Sequence, residues 1–121
     1  MAQPTIVHLE LPARDRAANA AFYQAVFGWQ AGRNDEYDYL YFETPEGLRG
    51  GFPGPEDQGQ REGEPLIYLA SEHIEATLAV IESHGGRCLI PATEIPGIGK
   101  WAIFLDPAGN RLGLFEPAPK E

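Results

Sequence analysis

Two matched turns constrain the fold of this chain more than any other feature of its sequence. The segments Thr44–Gly47 (TPEG) and Asp106–Gly109 (DPAG) both carry proline second and glycine fourth, which is typical of a type I turn. Each turn lies between a phenylalanine and a glycine at matched distances, namely Phe42 and Gly51 for the first turn and Phe104 and Gly113 for the second. A duplicated unit explains these matches, so we predict two similar halves.

The spacing of apolar residues gives both halves the element order β-α-β-β-β. In the first half we predict a strand over Thr5–Leu11 and a helix between an N-cap at Asp15 and a stop at Gly28. Three short strands follow, at Trp29–Arg33, Tyr37–Glu43 and Leu48–Phe52. The second half repeats this order, with a strand at Leu66–Ala70, a helix from Ile74 that ends at Gly85-Gly86, and strands at 87–90, Trp101–Asp106 and Arg111–Glu116.

The length of 121 residues allows one domain and is too short for two ordinary independent ones. We therefore predict a single α+β domain over 1–121 whose halves share a core. Module 1 covers about 1–53, a polar Gly/Pro-rich loop covers 54–65, and module 2 covers about 66–121.

The charge of the chain favours some partners over others. Nine Lys and Arg face 18 Asp and Glu, which gives a net charge of −9. Such a field repels phosphate backbones, so we expect no nucleic-acid partner and favour a neutral or cationic ligand, although the excess acid also serves solubility. No apolar run approaches the roughly 20 residues of a membrane span and the start lacks a signal-peptide layout, so we expect no membrane partner and a cytoplasmic location.

The first predicted strand supplies the candidate catalytic residues. Val7, Leu9 and Leu11 form its apolar side, so His8 and Glu10 face the other way and lie side by side. A histidine beside a carboxylate is a candidate acid/base pair. The alternative is that His8 only forms hydrogen bonds within a polar patch.

Later strands supply a candidate ligand-binding set. Leu40, Phe42, Ala102 and Phe104 are expected to face the helices. The alternating residues would then line a binding surface: Tyr39, Tyr41 and Glu43 in the first half, Trp101 and Ile103 in the second, together with Tyr68. Aromatic rings with polar ends suit a flat or cationic ligand, although aromatic residues are also ordinary strand formers.

Other polar and Gly-rich positions have plainer interpretations. The segment Ile95–Lys100 is predicted to be a loop that closes over the binding surface, with its two glycines as hinges. His73 and His84 lie in the first and last turns of the second predicted helix, where we expect both to be solvated. Cys88 has no second cysteine to pair with, so we expect a small core or strand residue, with a reactive thiol as the alternative.

Several of these segments resemble one known superfamily. The run from His8 through Phe22-Tyr23 to Trp29, with AFYQAVFGW at its end, is similar to the first strand and helix of the vicinal-oxygen-chelate superfamily of glyoxalases, bleomycin-resistance proteins and dioxygenases. The later stretches EATLAVIESHGG and DPAGNRLGLFEP are similar to its second helix and last turn and strand. The resemblance implies two βαβββ modules whose strands curl into a cup with the helices outside, and often a homodimer.

The resemblance also implies four positions for the ligands of a divalent metal. His8 occupies the first position, and the others fall on Gly51 or a neighbour, Leu66 and Gly113. Three of the four therefore carry no donor side chain, whereas a divalent site needs three or four donors. We therefore expect no metal or other cofactor, with His8 as the only match to a ligand position.

Two functions remain open after this comparison. The first is a protein that binds a small, aromatic or cationic molecule in the cup without the usual metal. The second is a glyoxalase-like lyase or isomerase that uses His8 and Glu10, with or without an unconventional metal. Hydrolase and dehydrogenase functions are not indicated, because neither a Gly-x-Ser-x-Gly elbow nor a dinucleotide fingerprint occurs.

Overall fold

The described part of the chain forms two compact units. A computed structural model describes residues 5–36, 38–57 and 59–119. The N-terminal unit holds residues 8–66, and the C-terminal unit holds residues 5–7 and 67–119. Within the described ranges, no helix is both long enough and apolar enough to cross a membrane.

The predicted β-α-β-β-β order is confirmed in both halves. The first set of elements is β1 (Ile6–Glu10), α1 (Arg16–Phe27), β2 (Gln30–Asn34), β3 (Tyr39–Glu43) and β4 (Arg49–Gly51). The second set is β5 (Leu66–Ala70), α2 (Ile74–Ser83), β6 (Arg87–Ile95), β7 (Gly99–Leu105) and β8 (Arg111–Pro117). Tyr37, the predicted start of β3, lies outside the described residues.

The two sets of strands are paired in the same way. In the first set β1 runs parallel to β4, while β4 pairs antiparallel with β3 and β3 with β2. In the second set β5 runs parallel to β8, while β8 pairs antiparallel with β7 and β7 with β6. This shared mixed pattern is what a duplicated βαβββ module requires.

Backbone registers confirm the duplication at the level of single residues. Gly51 pairs with Tyr41, and Gly113 pairs with Ile103 at the same distance from the turn. In the TPEG turn the N–H of Gly47 donates to Thr44 O at 2.9 Å. In the DPAG turn the N–H of Gly109 donates to Asp106 O at the same distance of 2.9 Å.

Each turn also uses its first side chain as a hydrogen-bond acceptor. The backbone N–H of Leu48 donates to Thr44 Oγ1, and that of Asn110 donates to Asp106 Oδ1. The side-chain amide of Asn110 donates to Asp106 Oδ2 at 2.9 Å. These hydrogen bonds, led by the one from the Asn110 side chain, hold the pKa of Asp106 below its ordinary value.

Helix α1 begins and ends where its capping residues predict. The Asp15 side chain accepts a hydrogen bond from the backbone N–H of Ala18 at 3.0 Å. Gly28 adopts a left-handed φ of 73°, and its N–H donates to Gln24 O. Helix α2 has His73 as its N-cap without a side-chain capping bond, and its first N–H, from Ile74, donates to the Glu116 carboxylate instead.

Each unit packs its helix against one face of its own strands. In the N-terminal unit, Trp29 stacks on Phe42 and on Tyr23, with ring centres 4.7 and 4.8 Å apart. The core contains Ala20, Phe42 and Phe52, with Leu9, Leu11, Tyr23, Trp29 and Leu40 packed against them. The core of the C-terminal unit contains Ile74, Leu78, Ala102, Phe104 and Leu114. The residues predicted to face the helices therefore do so, at Leu40, Phe42, Ala102 and Phe104.

The described residues also place the lone cysteine and the histidines at the ends of α2. Cys88 lies in β6 against the C-terminal core, and burial raises the pKa of its thiol, which disfavours the reactive thiolate. His73 and His84 are both exposed, as expected. His84 Nδ1 lies 2.9 Å from Val80 O, so the ring caps the last turn of α2.

The segment Ile95–Lys100 is a tight hairpin turn between two paired strands, and its closure over the binding surface stays a prediction. Strands β6 and β7 extend to Ile95 and Gly99, and the N–H of Ile98 donates to Ile95 O at 2.9 Å. Gly97 has a φ of 79°, so the geometry of the turn itself favours a glycine at this position.

Strand β6 is also longer than the predicted strand 87–90. Pro91 lies inside it, and proline usually ends a strand because it has no N–H for the ladder. The register shifts between Cys88 and Ile90 and again between Ile90 and Thr93. These irregularities accommodate the proline, so pairing continues to Ile95.

Candidate functional site

A cluster of polar side chains lies on the strand face that is turned away from α1 in the N-terminal unit. Leu9 of β1 and Leu40 of β3 belong to the core beneath α1. Since neighbouring residues of a strand point to opposite faces, His8, Glu10 and Tyr39 share the other face. With Gln60 from the loop after β4, they form what we call the polar cluster.

Short contacts connect the first three side chains of the polar cluster. The Tyr39 hydroxyl donates to Glu10 Oε2 at 2.9 Å. His8 Nε2 lies 2.8 Å from the Tyr39 oxygen and 3.3 Å from Glu10 Oε2. When the Tyr39 proton is directed to Glu10, His8 donates its Nε2–H to the tyrosine oxygen. A phenol thus bridges an imidazole and a carboxylate, an arrangement in which a proton can move by one hydrogen bond at a time.

Glu10 is the most enclosed charged member of the polar cluster, with 9% of its surface exposed. Its second oxygen, Oε1, accepts a hydrogen bond from Gln60 Nε2 at 2.6 Å. The carboxylate is therefore satisfied by donors from two separate segments, β3 and the loop after β4. A buried carboxylate needs such donors to remain ionised.

Sequence reasoning does not find Gln60, because its loop has no periodicity and predicts only a connection between the two modules. The loop is fastened by contacts that are distant along the chain. Arg14 donates to Glu62 at 2.6 Å, and this hydrogen bond lowers the pKa of Glu62. The N–H of Ala13 donates to Pro53 O at 2.9 Å. No local signal in the sequence indicates these pairings.

The predicted aromatic residues of the N-terminal unit differ in their surroundings. Tyr39 belongs to the polar cluster, and its ring lies nearly parallel to that of His8, with an angle of 23° between them. Tyr41 is 45% exposed, and its ring covers Gly32, where an added Cβ would collide with it. Tyr41 therefore presents an accessible aromatic surface, while Tyr39 presents a hydroxyl.

The predicted residues of the C-terminal unit meet around Gly113. Tyr68 and Ile103 both pair with Gly113 in the strand register, and both are buried, with 7% and no surface exposed respectively. Trp101 is two residues from Ile103 along β7, so it shares that face, and it is partly buried. The ligand-binding role of all these residues stays a prediction.

The four positions that the family resemblance assigns to metal ligands are occupied by His8, Gly51, Leu66 and Gly113, so only one side chain can donate to a metal. A Cβ added at Gly51 would collide with the Tyr39 hydroxyl, and one at Gly113 would collide with the Tyr68 ring. Within the described ranges, no group of three or more His, Cys, Asp or Glu is arranged to hold a metal. This donor set does not fit a divalent centre.

A separate cleft of about 450 Å³ lies at the start of α1 in the same unit. Its lining includes Arg14, Asp15, Arg16, Arg33 and Asp38. The guanidinium groups are already paired with carboxylates: Arg16 and Arg33 with Asp38, and Arg14 with Glu62. The polar cluster is the stronger candidate, because it combines a buried carboxylate with groups able to carry a proton.

Two curated proteins are similar to this chain over most of its length. One is CFP32 of Mycobacterium tuberculosis, whose name describes a glyoxylase, with 27% identity over 114 residues, 89% of this chain and 44% of that protein. The other is the anthracycline biosynthesis protein DnrV of Streptomyces peucetius, with 28% identity over 93% of this chain and 46% of that protein. The chain thus spans a little under half the length of these relatives.

The fold has a counterpart among solved structures. Methylmalonyl-CoA epimerase from Mycobacterium tuberculosis superposes with a TM-score of 0.69 at 17% identity, covering 94% of this chain and 88% of the epimerase. At this identity the likeness shows the fold alone. The family model described as Glyoxalase/Bleomycin resistance protein/Dioxygenase superfamily matches residues 5–114.

The contact between Gly51 and Tyr39 can be tested through stability. We expect Gly51→Ala to lower the free energy of unfolding by about 1–3 kcal/mol, because the methyl group would occupy the space of the Tyr39 side chain. In a Tyr39→Ala background the same substitution should cost much less. Urea unfolding of the four proteins in this double-mutant cycle measures the difference.

The matched control for this cycle is Tyr41→Ala. Tyr41 is the direct strand partner of Gly51, and a Cβ at Gly51 would meet Tyr39 first. If Tyr41→Ala relieves the cost of Gly51→Ala as well as Tyr39→Ala does, the position assigned to the Tyr39 hydroxyl is wrong.

Proposed function

Because the chain belongs to the Glyoxalase/Bleomycin resistance protein/Dioxygenase superfamily, we propose that it binds a small molecule at the polar cluster and does so without a divalent metal. The observation that supports this proposal is the hydrogen-bonded group of His8, Glu10 and Tyr39 on the face turned away from α1. Burying a carboxylate is costly even when donors satisfy it, and such groups are typical of binding and catalytic sites.

The chemistry of the polar cluster indicates the class of ligand. Glu10 supplies a negative charge in a chain whose net charge is −9, so the site attracts cations. The exposed ring of Tyr41 lies on the same face and offers a surface on which a flat molecule can stack. The relative DnrV is named for the biosynthesis of anthracyclines, which is consistent with an aromatic ligand for this chain.

The metal-free part of the proposal rests on the residues at the family's ligand positions. One imidazole and three positions without a donor side chain do not make a divalent metal site. At Gly51 the neighbouring space is filled by Tyr39, so its hydroxyl interacts with Glu10 where a metal ligand would extend.

Charge recognition by Glu10 can be tested with a matched pair of probes. N-methylacridinium is a flat cation, and acridine at pH 8 is a neutral molecule of nearly the same shape. We expect Glu10→Gln to weaken binding of the cation by about fivefold or more while changing acridine binding little. Isothermal titration calorimetry measures both affinities, and added salt should weaken binding of the cation.

Glu36→Gln is the control for this test, since it removes one negative charge at an exposed turn position. Equal losses for both probes in Glu10→Gln, or an equal effect of Glu36→Gln, would contradict charge recognition at the polar cluster. Protein purified without chelator should also be analysed by mass spectrometry for metals. About one zinc, nickel or iron per chain that is lost in His8→Ala would overturn the metal-free proposal.

Proton transfer by a lyase or isomerase is the second candidate function. The bridging Tyr39 hydroxyl favours it, because a proton taken up by Glu10 or His8 can pass to the neighbouring group over 2.8–2.9 Å. The glyoxylase name of CFP32 is consistent with such chemistry.

This second function predicts exchange of protons at a carbon beside a carbonyl group. Dihydroxyacetone in D₂O should take up deuterium faster with the protein than with buffer, and Glu10→Gln should lower that rate by about a hundredfold. Proton NMR follows the exchange. A rate equal to that of buffer would remove the enzymatic function and leave the binding function standing.

We also propose that the protein is a homodimer that pairs through α1, while a cytoplasmic location stays a prediction. Phe22 and Val26 lie one turn apart on this helix and are 52% and 57% exposed. The helix carries a single charged residue, Arg16, at its first position. An uncharged apolar face is where two copies with a charge of −9 each can approach with the least repulsion.

Sedimentation velocity tests the dimer directly. We expect the wild-type protein to sediment as a dimer and Phe22→Glu to shift it to monomer, because the substitution puts like charges at the contact. Val80→Glu on the exposed face of α2 is the control and should leave the dimer intact. A wild-type protein that stays monomeric at about 100 µM would refute the dimer, since functional dimers are expected to form well below that concentration.

A further inference from the structure

We propose that the cleft at the start of α1 binds the phosphate group of a small phosphate ester, which takes the place of the Asp38 carboxylate between Arg16 and Arg33. The cleft lies on the face of the strands that carries α1, since Leu40 of its lining packs in the core beneath that helix. The polar cluster lies on the opposite face. This second site is therefore independent of the function proposed for the polar cluster.

Positive charge is concentrated at this cleft. Its lining holds three of the nine Lys and Arg residues of a chain whose net charge is −9. The lining also holds two aspartates, of which Asp15 accepts the hydrogen bond that caps α1. Asp38 is the lining carboxylate that pairs with arginines. An anion that replaces this one carboxylate therefore meets the positive groups of the cleft directly.

The Asp38 carboxylate shows how an anion fits between two guanidinium groups. Its Oδ2 accepts a hydrogen bond from Arg16 Nη2 at 3.2 Å, and its Oδ1 accepts one from Arg33 Nη2. One anionic group thus bridges both arginines through its two oxygens. A phosphate ester offers three acceptor oxygens and up to two negative charges, so it suits a pair of converging guanidinium groups better than a carboxylate does.

Both guanidinium groups keep another contact when the Asp38 carboxylate leaves. Arg16 Nη1 donates to the backbone oxygen of Asp38 at 2.8 Å, and that contact does not involve the carboxylate. Arg33 Nε lies 3.1 Å from Asp35 Oδ1. The two groups are therefore positioned before a ligand binds, so little conformational entropy is lost when the phosphate arrives.

A ligand can reach the arginines from solvent. The side chains of Asp38 and Arg33 are 61% and 59% exposed, and exposed ion pairs of this kind contribute little to stability. The cleft volume of about 450 Å³ lies within the range of roughly 300–1,000 Å³ that is typical of small-molecule sites. Its lining includes the apolar residues Ala17 and Leu40, against which the organic group of an ester can pack.

Phenyl phosphate and phenyl sulfate test this site with two esters of nearly the same shape. At pH 8 the phosphate carries about two negative charges and the sulfate carries one. We expect isothermal titration calorimetry at low salt to show phenyl phosphate binding about fivefold or more tightly than phenyl sulfate, and more tightly than inorganic phosphate, which has no organic group. Arg16→Gln should weaken binding of phenyl phosphate about tenfold or more, the ratio for a hydrogen bond between charged groups.

Asp38→Asn tests the role of the internal carboxylate. It removes the competing charge, and asparagine tolerates the left-handed φ of 51° at this position as aspartate does. We expect Asp38→Asn to bind phenyl phosphate about fivefold more tightly than the wild-type protein. Glu36→Gln removes a neighbouring negative charge at an exposed turn position, so it is the matched control and should change the affinity much less.

A second measurement keeps the outcome clear if Arg16→Gln does not fold. The Nε–H signals of Arg16 and Arg33 in the NMR spectrum of the wild-type protein should then shift with phenyl phosphate, while that of the exposed Arg87 should not. Equal affinities of the wild-type protein and Arg16→Gln, or of Asp38→Asn and Glu36→Gln, would overturn the inference. So would binding of phenyl phosphate that is no tighter than that of phenyl sulfate or inorganic phosphate, or that is absent from both the wild-type protein and Asp38→Asn.

Discussion

The arrangement of the polar cluster depends on the hydrogen bonds that the enclosed carboxylate of Glu10 accepts. A charge that is 9% exposed must exchange the hydrogen bonds of water for donors of the protein. Those donors come from Tyr39 on β3 and Gln60 in the following loop. The same carboxylate thus fixes the rotamer of a strand residue and the position of a loop. Any ligand that binds Glu10 must therefore act on both.

The matched glycines of the two units, Gly51 and Gly113, have different side chains packed over them. Gly51 pairs with Glu10, and Gly113 pairs with Tyr68. The space above Gly51 holds a hydroxyl that belongs to a polar network, while the space above Gly113 holds a buried ring. The two halves therefore share their backbone pairing at this glycine but differ in the side-chain groups that cover it.

The sequence predicts those parts of the fold that depend on a few neighbouring residues. The ends of α1 and the two matched turns follow from Asp15, Gly28 and the repeated Pro and Gly, because caps and turns are local structures. The extent of β6 could not be predicted, since strand pairing with β7 overrides the usual effect of Pro91. Because the pairing of β6 with β7 reaches Ile95 and Gly99, Gly97 lies in the hairpin turn between the two strands.

The candidate site was predictable in one part and not in another. Alternation along β1 and β3 places His8, Glu10 and Tyr39 on one face, so their proximity follows from a period of two. Gln60 escapes such reasoning, because its position depends on the fastening of a loop by Arg14, 48 residues from Glu62 in the sequence. Contacts of that range leave no periodic pattern in a single sequence.

A metal ligand and the hydrogen bond to Glu10 compete for the same space above Gly51. Any side chain placed there would have to displace the Tyr39 hydroxyl, and Glu10 would then lose one of its donors. His8 would then lose its 2.8 Å contact with that hydroxyl. A metal-ligating side chain at position 51 and the present position of the Tyr39 side chain therefore exclude each other. The Tyr39 hydroxyl, held by its hydrogen bond to Glu10, thus takes up the space into which a side chain at position 51 would extend.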